Sequence, residues 1–268
     1  MKFTFLPFLS CILLLFLQFT VKAQTADSII FAPDRPGMST PPDILTFERL
    51  QLESCLQYEH YNNGTTLNKN YHIPTVLLRV GILKYAEARI STDYAYINET
   101  DSGVSSPIYG MNPVTLGTKI RIFKQHSILP NTSLLANLTL PWYGKSEFCP
   151  RYLAPSVYLL MSNSIFGKLN IVYNYGLIWD GNQSPVNQFY SVYLSLGLTK
   201  KLGIFAEGYG YSARYKKDRF YYDGGLAYLI NNHLQIDVSA SGKYKSDNDY
   251  YFVNVGIAWQ VAGQKLKF

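Results

Sequence analysis

The chain has 268 residues, 24 Lys and Arg against 18 Asp and Glu, 15% aromatic residues and 23 tyrosines. So mild and scattered a basic balance excludes recognition of nucleic acid by charge, and three cysteines exclude a disulfide framework or a thiolate metal cluster. After the first two dozen residues, no stretch approaches the roughly 18 apolar residues of a membrane helix.

Residues 1–23 read as a secretory signal peptide: Lys2 is the positive start, Phe3 to Thr20 is nearly all apolar, and Val21-Lys22-Ala23 precedes cleavage before Gln24. Cys11 follows Leu9-Ser10, yet most of the apolar run lies after it, which argues against lipidation. Processing leaves 22 basic against 18 acidic residues, a net +4, and leaves Cys55 and Cys149 as the remaining cysteines, whose pairing the sequence leaves open. Residues 24–46 carry Pro33, Pro36, Pro41 and Pro42 and little periodicity; they read as an extended lead, either periplasmic or plug-like.

From 47 to 262 the side chains alternate with period two, which gives a strand one greasy and one wet face. Strands are expected at Phe47–Tyr61, Tyr71–Ile82, Tyr85–Asn98, Asn112–Lys124, Asn131–Trp142 and Tyr152–Ser162, the last weakened by Pro155. Six more follow at Lys168–Trp179, Gln188–Lys200, Leu202–Tyr215, Phe220–Ile230 and the closing hairpin, Leu234 to Val261. In that hairpin Tyr251, Val253, Val255, Ile257, Trp259 and Val261 oppose Phe252, Asn254, Gly256, Ala258 and Gln260. The register of Leu202–Tyr215 is ambiguous, because Glu207 falls on the side of Phe205, Tyr209 and Tyr211. Residues 263–268 form a tail.

Twelve strands, each near or above the roughly 9–11 residues that cross a bilayer, have no helix or second layer to cover their apolar faces. In water such faces cost about 25 cal/mol per Å²; in lipid they cost nothing, and closing the sheet satisfies its edges. Short turns are expected to alternate with longer polar links such as 62–70 and 99–111, the pattern of periplasmic turns and outside loops. The fold class is therefore all-β: a closed antiparallel transmembrane β-barrel of 12 strands, in the outer membrane of a Gram-negative cell. A soluble β-sandwich would use the same alternation.

Several short motifs carry a resemblance. Pro33-Asp34-Arg35-Pro36 with Ser39-Thr40-Pro41 and Gln51-Leu52-Glu53 resembles the opening of an outer-membrane β-barrel transporter family labelled after the phenol meta-degradation pathway. Leu77-Leu78-Arg79-Val80-Gly81-Ile82 with Glu87-Ala88-Arg89, then Leu116-Gly117-Thr118-Lys119 and Leu138-Thr139-Leu140-Pro141, is similar to that family's later segments. Pro33 replaces the family's threonine, and the glutamate expected before the second proline is missing. The resemblance implies an outer-membrane channel or transporter passing small, hydrophobic or aromatic solutes.

The charges on the wet faces are the candidate site: Glu53, Arg79, Glu87, Arg89, Lys119, Arg121, Asp237 and Lys243. An Arg or Lys at mid-depth on a lipid face costs roughly 2–4 kcal/mol, so these residues are expected in the lumen, lining a conduit or filling it with ion pairs. Arg35 is expected to pair with Glu53 or Glu87 if the lead enters the barrel. Arg214 to Arg219 could meet lipopolysaccharide phosphates from an outside loop. The partners expected are outer-membrane lipid and a small-molecule solute, with no cofactor, metal or nucleic acid and with the oligomeric state open. A structural or adhesive surface barrel is one alternative. An outer-membrane lipid hydrolase is another, although none of His60, His72, His126 and His233 precedes a Ser-Gly pattern.

Overall fold

The structure, a computed structural model, describes residues 31–165, 167–182, 185–214, 217–244 and 248–262; the expected signal peptide and the tail 263–268 lie outside the described residues. The described strands are β1 (Arg49–Asn62), β2 (Thr66–Leu83), β3 (Ala86–Asp101), β4 (Val104–Met111), β5 (Thr115–Phe123), β6 (Asn131–Thr139) and β7 (Ala154–Ile165). They continue with β8 (Leu169–Ile178), β9 (Asn187–Gly197), β10 (Leu202–Ala213), β11 (Arg219–Asn231), β12 (Leu234–Lys243) and β13 (Asp249–Ala262). Every pairing is antiparallel between neighbours, and β1 joins both β13 and β2, so twelve strands close into a barrel with β4 standing outside the ring.

The barrel is inside-out relative to a soluble protein. Ile90, Leu116, Leu194, Ile236, Val255 and Ile257 are among the exposed apolar side chains, while Gln51, Glu53, Arg79, Glu87 and Lys119 are fully buried. The final hairpin shows the rule: Val253, Val255 and Ile257 face out and Asn254, Ala258 and Gln260 face in, as the alternation requires. Tyr251, Tyr58, Tyr71, Tyr96 and Tyr109 form a row of neighbouring rings across β13, β1, β2, β3 and β4, with centroids 5.0–6.4 Å apart. Such a row is the aromatic girdle of a bilayer surface.

Two expected links prove to be mostly strand. Residues 66–70 extend β2, and 99–101 extend β3, so that β1 and β2 are joined across residues 63–65 alone. The reason is that strand pairing continues beyond the girdle, where Asn68, Lys69 and Asn70 meet Glu99, Asn98 and Ile97 with polar groups on both faces. β4 pairs with the upper half of β3, from Tyr94 to Asp101, whereas β5 pairs with its lower half, from Ala86 to Ser91. Pro113 interrupts what would otherwise be one strand, because it has no N–H for the ladder. The break is held by Asn112, whose N–H and side-chain amide both donate to Asp93 at 2.7 Å. Residues 140–153 cover the interruption, with Val114 N–H donating to Tyr143 O at 2.9 Å and Lys145 N–H to Met111 O at 2.8 Å. Pro155 is tolerated as the second residue of β7, opposite Leu138.

The turn rim carries the β2–β3, β5–β6, β7–β8, β9–β10 and β11–β12 connections together with the start of β1 and the end of β13. The loop rim carries the remaining connections except β4–β5, which lies part-way down the wall beside Asp93.

Candidate functional site

The lead runs along the inside of the barrel from Phe31 to the start of β1. It has no ladder of its own, so its backbone groups must be satisfied by the wall. Glu53 of β1 accepts from Asp34 N–H at 3.0 Å and from Arg35 N–H at 3.2 Å. Glu207 of β10 accepts from Met38 N–H at 2.7 Å and from the Ser39 hydroxyl at 2.6 Å. Asn174 of β8 exchanges two bonds with the Thr40 backbone, at 2.7 and 3.0 Å. Ser133 of β6 donates to Pro42 O at 2.6 Å, and Glu87 of β3 accepts from Leu45 N–H at 2.7 Å. Each inward polar side chain thus takes the place that a neighbouring strand would take. Gly81 lets the lead pass close to the wall, since a Cβ there would sit 2.0 Å from Thr46 O.

One buried ion cluster fastens the segment. Arg79 forms a two-pronged pair with Glu87, at 2.9 Å on each prong, and donates to Glu53 at 2.9 Å. Its guanidinium also reaches Ala32 O at 3.0 Å and Asp43 O at 3.2 Å. Asp34 takes Lys119 at 2.8 Å, Arg79 at 3.0 Å and Arg89, and Lys119 also donates to Pro41 O at 3.0 Å and Asp43 O at 3.1 Å. Three cations therefore face three carboxylates, and every one of these groups is hydrogen-bonded, the condition under which buried charge is tolerated. Burial by itself would raise the Asp34 carboxyl, but Arg79, Arg89 and Lys119 outweigh it and hold the group well below the usual carboxylate range.

Of the residues expected in the lumen, Glu53, Arg79, Glu87, Arg89 and Lys119 meet in this cluster. Arg35 does not pair with Glu53 or Glu87 through its side chain: its Nη2 donates to Asp237 at 3.0 Å and to Asn254 at 2.8 Å, and only its backbone N–H reaches Glu53. The reason is room, because Gly256 of β13 leaves the guanidinium a recess that a Cβ would enter at 2.3 Å from Nε. Arg121 and Lys243 are half-buried and make no ion pair among the described residues. Cys55 and Cys149 are unpaired; the Cys55 sulfur lies 3.0 Å from the Thr75 hydroxyl. Arg219 opens β11 and stacks on Tyr211, 5.5 Å from its ring centre, while residues 215–216 lie outside the described residues.

Sequence reasoning missed a second set. Phe189, Tyr209 and Phe252 are buried inside the barrel and pack with Tyr158, Tyr211, Tyr221 and Tyr250. Tyr209 and Tyr221 stack at 5.1 Å, and Phe189 leans on Tyr211 at 5.3 Å. β10 therefore turns its aromatic side inward with Glu207 and presents Ala206 and Gly208 outward, which resolves its ambiguous register. Glu207 was the available signal, because a carboxylate fixes its own face and so that of Phe205, Tyr209 and Tyr211.

The lead separates two cavities. On the loop side, about 180 Å³ is lined by Met38, Thr40, Arg89, Tyr158, Phe189 and Tyr211, with Asn137 and Asn174. On the turn side, about 400 Å³ is lined by Gly37, Ser39 and Pro41 and by residues of the turn rim such as Thr199 and Leu229. Successive lead residues thus face opposite cavities, as an extended chain dictates. His72 Nδ1 lies 2.5 Å from Asp93, but among the described residues no Ser, Thr or Cys side chain is hydrogen-bonded to a histidine.

Solved structures share this fold. An outer membrane channel from Pseudomonas putida F1 superposes with a TM-score of 0.65 at 10% identity, covering 85% of this chain and 99% of that one. The NanC porin gives 0.51 at 10% identity, covering 78% and 100%. The translocator domain of the autotransporter NalP from Neisseria meningitidis gives 0.52 at 13%, covering 79% and 87%. At these identities the likeness is one of fold, that of outer-membrane barrels. No curated protein matches by sequence. A family described as "Putative MetA-pathway of phenol degradation" matches residues 33–261, the lead and the barrel together, and the chain belongs to that family.

Proposed function

We propose that the protein is an outer-membrane channel for small, uncharged aromatic solutes, gated by its own lead segment. The observation that carries this reading is the loop-side cavity. Three aromatic side chains, Tyr158, Phe189 and Tyr211, line it opposite the amides of Asn137 and Asn174, and Met38 and Thr40 of the lead belong to its lining. Its volume of about 180 Å³ suits one ring, since a dry cavity of about 150 Å³ takes up benzene. Arg89 also lines it, but Arg79, Arg89 and Lys119 are already balanced by Asp34, Glu53 and Glu87. A carboxylate solute would upset that balance, whereas a neutral hydroxyl or carbonyl oxygen can accept from the guanidinium without adding charge.

Passage requires the lead to move, because it lies between the two cavities. Its bonds to the wall are many but individually modest, about 0.5–1.5 kcal/mol net for a neutral pair. The apolar outer band faces acyl chains in this reading, and the loop rim faces the cell exterior.

The Ser39 and Ser191 hydroxyl oxygens are 2.6 Å apart, which makes a reversible lock available. In a Ser39→Cys/Ser191→Cys variant with Cys55 and Cys149 replaced by serine, oxidation fastens the lead to β9. Uptake of phenol into liposomes is expected to fall to the protein-free rate when oxidised and to return on reduction. Phe189→Ala and Tyr211→Ala are expected to lower phenol uptake about tenfold relative to glycerol. Equal uptake in the locked and reduced forms overturns gating, and uptake at the protein-free rate in both the reduced form and the wild type overturns the channel.

A further inference from the structure

The side chains that fasten the lead are bordered by rings on both sides. From the loop rim toward the turn rim, the inward residues of β9 run Phe189, Ser191, Tyr193, and Ser191 is the one that meets Ser39. On β10 they run Tyr209, Glu207, Phe205, and Glu207 grips Met38 and Ser39. On β8, Val172 lies on the turn side of Asn174, which holds Thr40. Phe189 and Tyr209 belong to the aromatic cluster on the loop side of the lead. Tyr193 and Phe205 form a separate pair on its turn side, stacked with centroids 4.9 Å apart and planes 20° apart.

This second pair borders an open space. The turn-side cavity of about 400 Å³ has Tyr193, Phe205 and Val172 in its wall, Phe31 of the lead as a third ring, and the amides of Asn170 and Gln235. Rings present only to pack an interior leave no such gap, because interiors are close-packed. The volume of about 400 Å³ falls within the roughly 300–1,000 Å³ of small-molecule pockets, which are likewise apolar with a few polar groups. Asp34 and Arg35 in the wall are paired with Lys119 and Asp237, and Asp43 accepts from Asn131 at 3.1 Å. Lys200 and Lys201 are exposed at the turn rim. The enclosed part therefore favours an uncharged occupant. The lead closes the remaining side: Gly37 lies against Tyr193, whose Cδ2 and Cε2 a Cβ would approach to 3.0 Å.

We propose that this cavity is a second station for a small uncharged aromatic solute, held against Tyr193 and Phe205 while the lead is still fastened. The solute class rests on the channel reading, but occupation of the station does not require the lead to move. Tyr193 stands four positions beyond Phe189 on β9, about 13 Å of strand. A solute leaving the loop-side rings thus meets the next pair once Ser39 parts from Ser191 and Glu207. Two modest sites in series serve passage better than one tight site, because a solute must leave as readily as it enters.

The test uses the full mature chain in detergent micelles, with 4-azidophenol as the photoreactive probe and excess phenol as competitor. Labelled positions are located by mass spectrometry. In the oxidised Ser39→Cys/Ser191→Cys form, with Cys55 and Cys149 replaced by serine, label is expected near Tyr193, Phe205 and Leu229, and excess phenol should abolish it. Tyr193→Leu/Phe205→Leu should lower this labelling about tenfold and leave labelling near Tyr158 and Phe189 unchanged. Ala227→Phe, which fills the cavity and keeps both rings, gives the same comparison where the double variant does not refold. Absence of phenol-protected label near these residues in both the wild type and the locked form overturns the station. So does labelling that is unchanged in both Tyr193→Leu/Phe205→Leu and Ala227→Phe. Uptake judges the channel separately: protected label in a wild type that passes no phenol supports the station and overturns the channel, and uptake without such label does the reverse.

Discussion

Arg35 and Asp237 are 202 residues apart in the chain, and Arg35 Nη2 lies 3.0 Å from Asp237 Oδ1 inside the barrel. The Asp237 side chain is fully buried, while Arg35 keeps 16% exposure. Removing the cation therefore strands a buried carboxylate. Arg35→Ala is expected to cost toward the lower end of the roughly 3–5 kcal/mol of a broken buried pair, with Asp237→Asn in the same chain recovering most of the loss. Urea unfolding in lipid vesicles measures both.

The Asp34 carboxyl is held below its ordinary value of 3.8 by three cations. A depressed folded pKa means that the stabilisation is complete above the unfolded value and is lost as the pH falls toward the folded one. The lead is expected to stay fastened from neutral pH down to about 4 and to loosen below that, with conductance rising in planar bilayers. In Asp34→Asn this acid-triggered opening should be much reduced, with conductance raised at every pH because Arg79, Arg89 and Lys119 lose one of the carboxylates that balance them and keep only Glu53 and Glu87.

The two cysteines report the topology. Cys149 is half-buried in residues 140–153 on the loop rim, and Cys55 is 5% exposed on the inner wall. A membrane-impermeant maleimide added to intact cells is expected to label Cys149 and spare Cys55. Arg35→Ala, which removes the side chain lying over that part of β1 and β13, should make Cys55 reactive. Labelling of Cys55 alone in the wild type would reverse the assignment of the rims.

Val255 lies mid-strand on the outer face at 55% exposure. Val255→Lys is expected to destabilise the barrel in vesicles by about 2–4 kcal/mol, against about 0–1 kcal/mol for a lysine at Phe47 near the rim. Similar values at the two positions in an unfolding titration would remove the case for a lipid-facing band.

The lumenal cluster was legible in the sequence because charge is decisive. An alternating strand that carries Lys119 or Arg79 has one face it can turn to lipid, and the structure buries both residues fully. The aromatic lining was hidden because Phe, Tyr and Leu look alike to an alternation count, while β10 puts Ala206 and Gly208 outside and its rings inside. The partner of Arg35 was equally hidden, since the contact depends on the recess at Gly256, 221 positions away along the sequence. The tall ends of β2 and β3 escaped notice for a different reason. Beyond the bilayer both faces of a strand meet water, so Asn68, Lys69 and Asn70 read like loop.

The uneven strand lengths shape how the mouth meets its surroundings. Above Tyr71 and its girdle partners, β2 continues for five residues, Thr66–Asn70, a rise of about 15 Å. β1, β3 and β4 rise with it, whereas the arc from β7 to β13 carries the interior aromatic rings. On the β1–β4 flank the mouth is therefore a parapet of paired backbone, held by its own ladder and carrying Asn, Lys and Thr side chains where a mobile loop would otherwise stand.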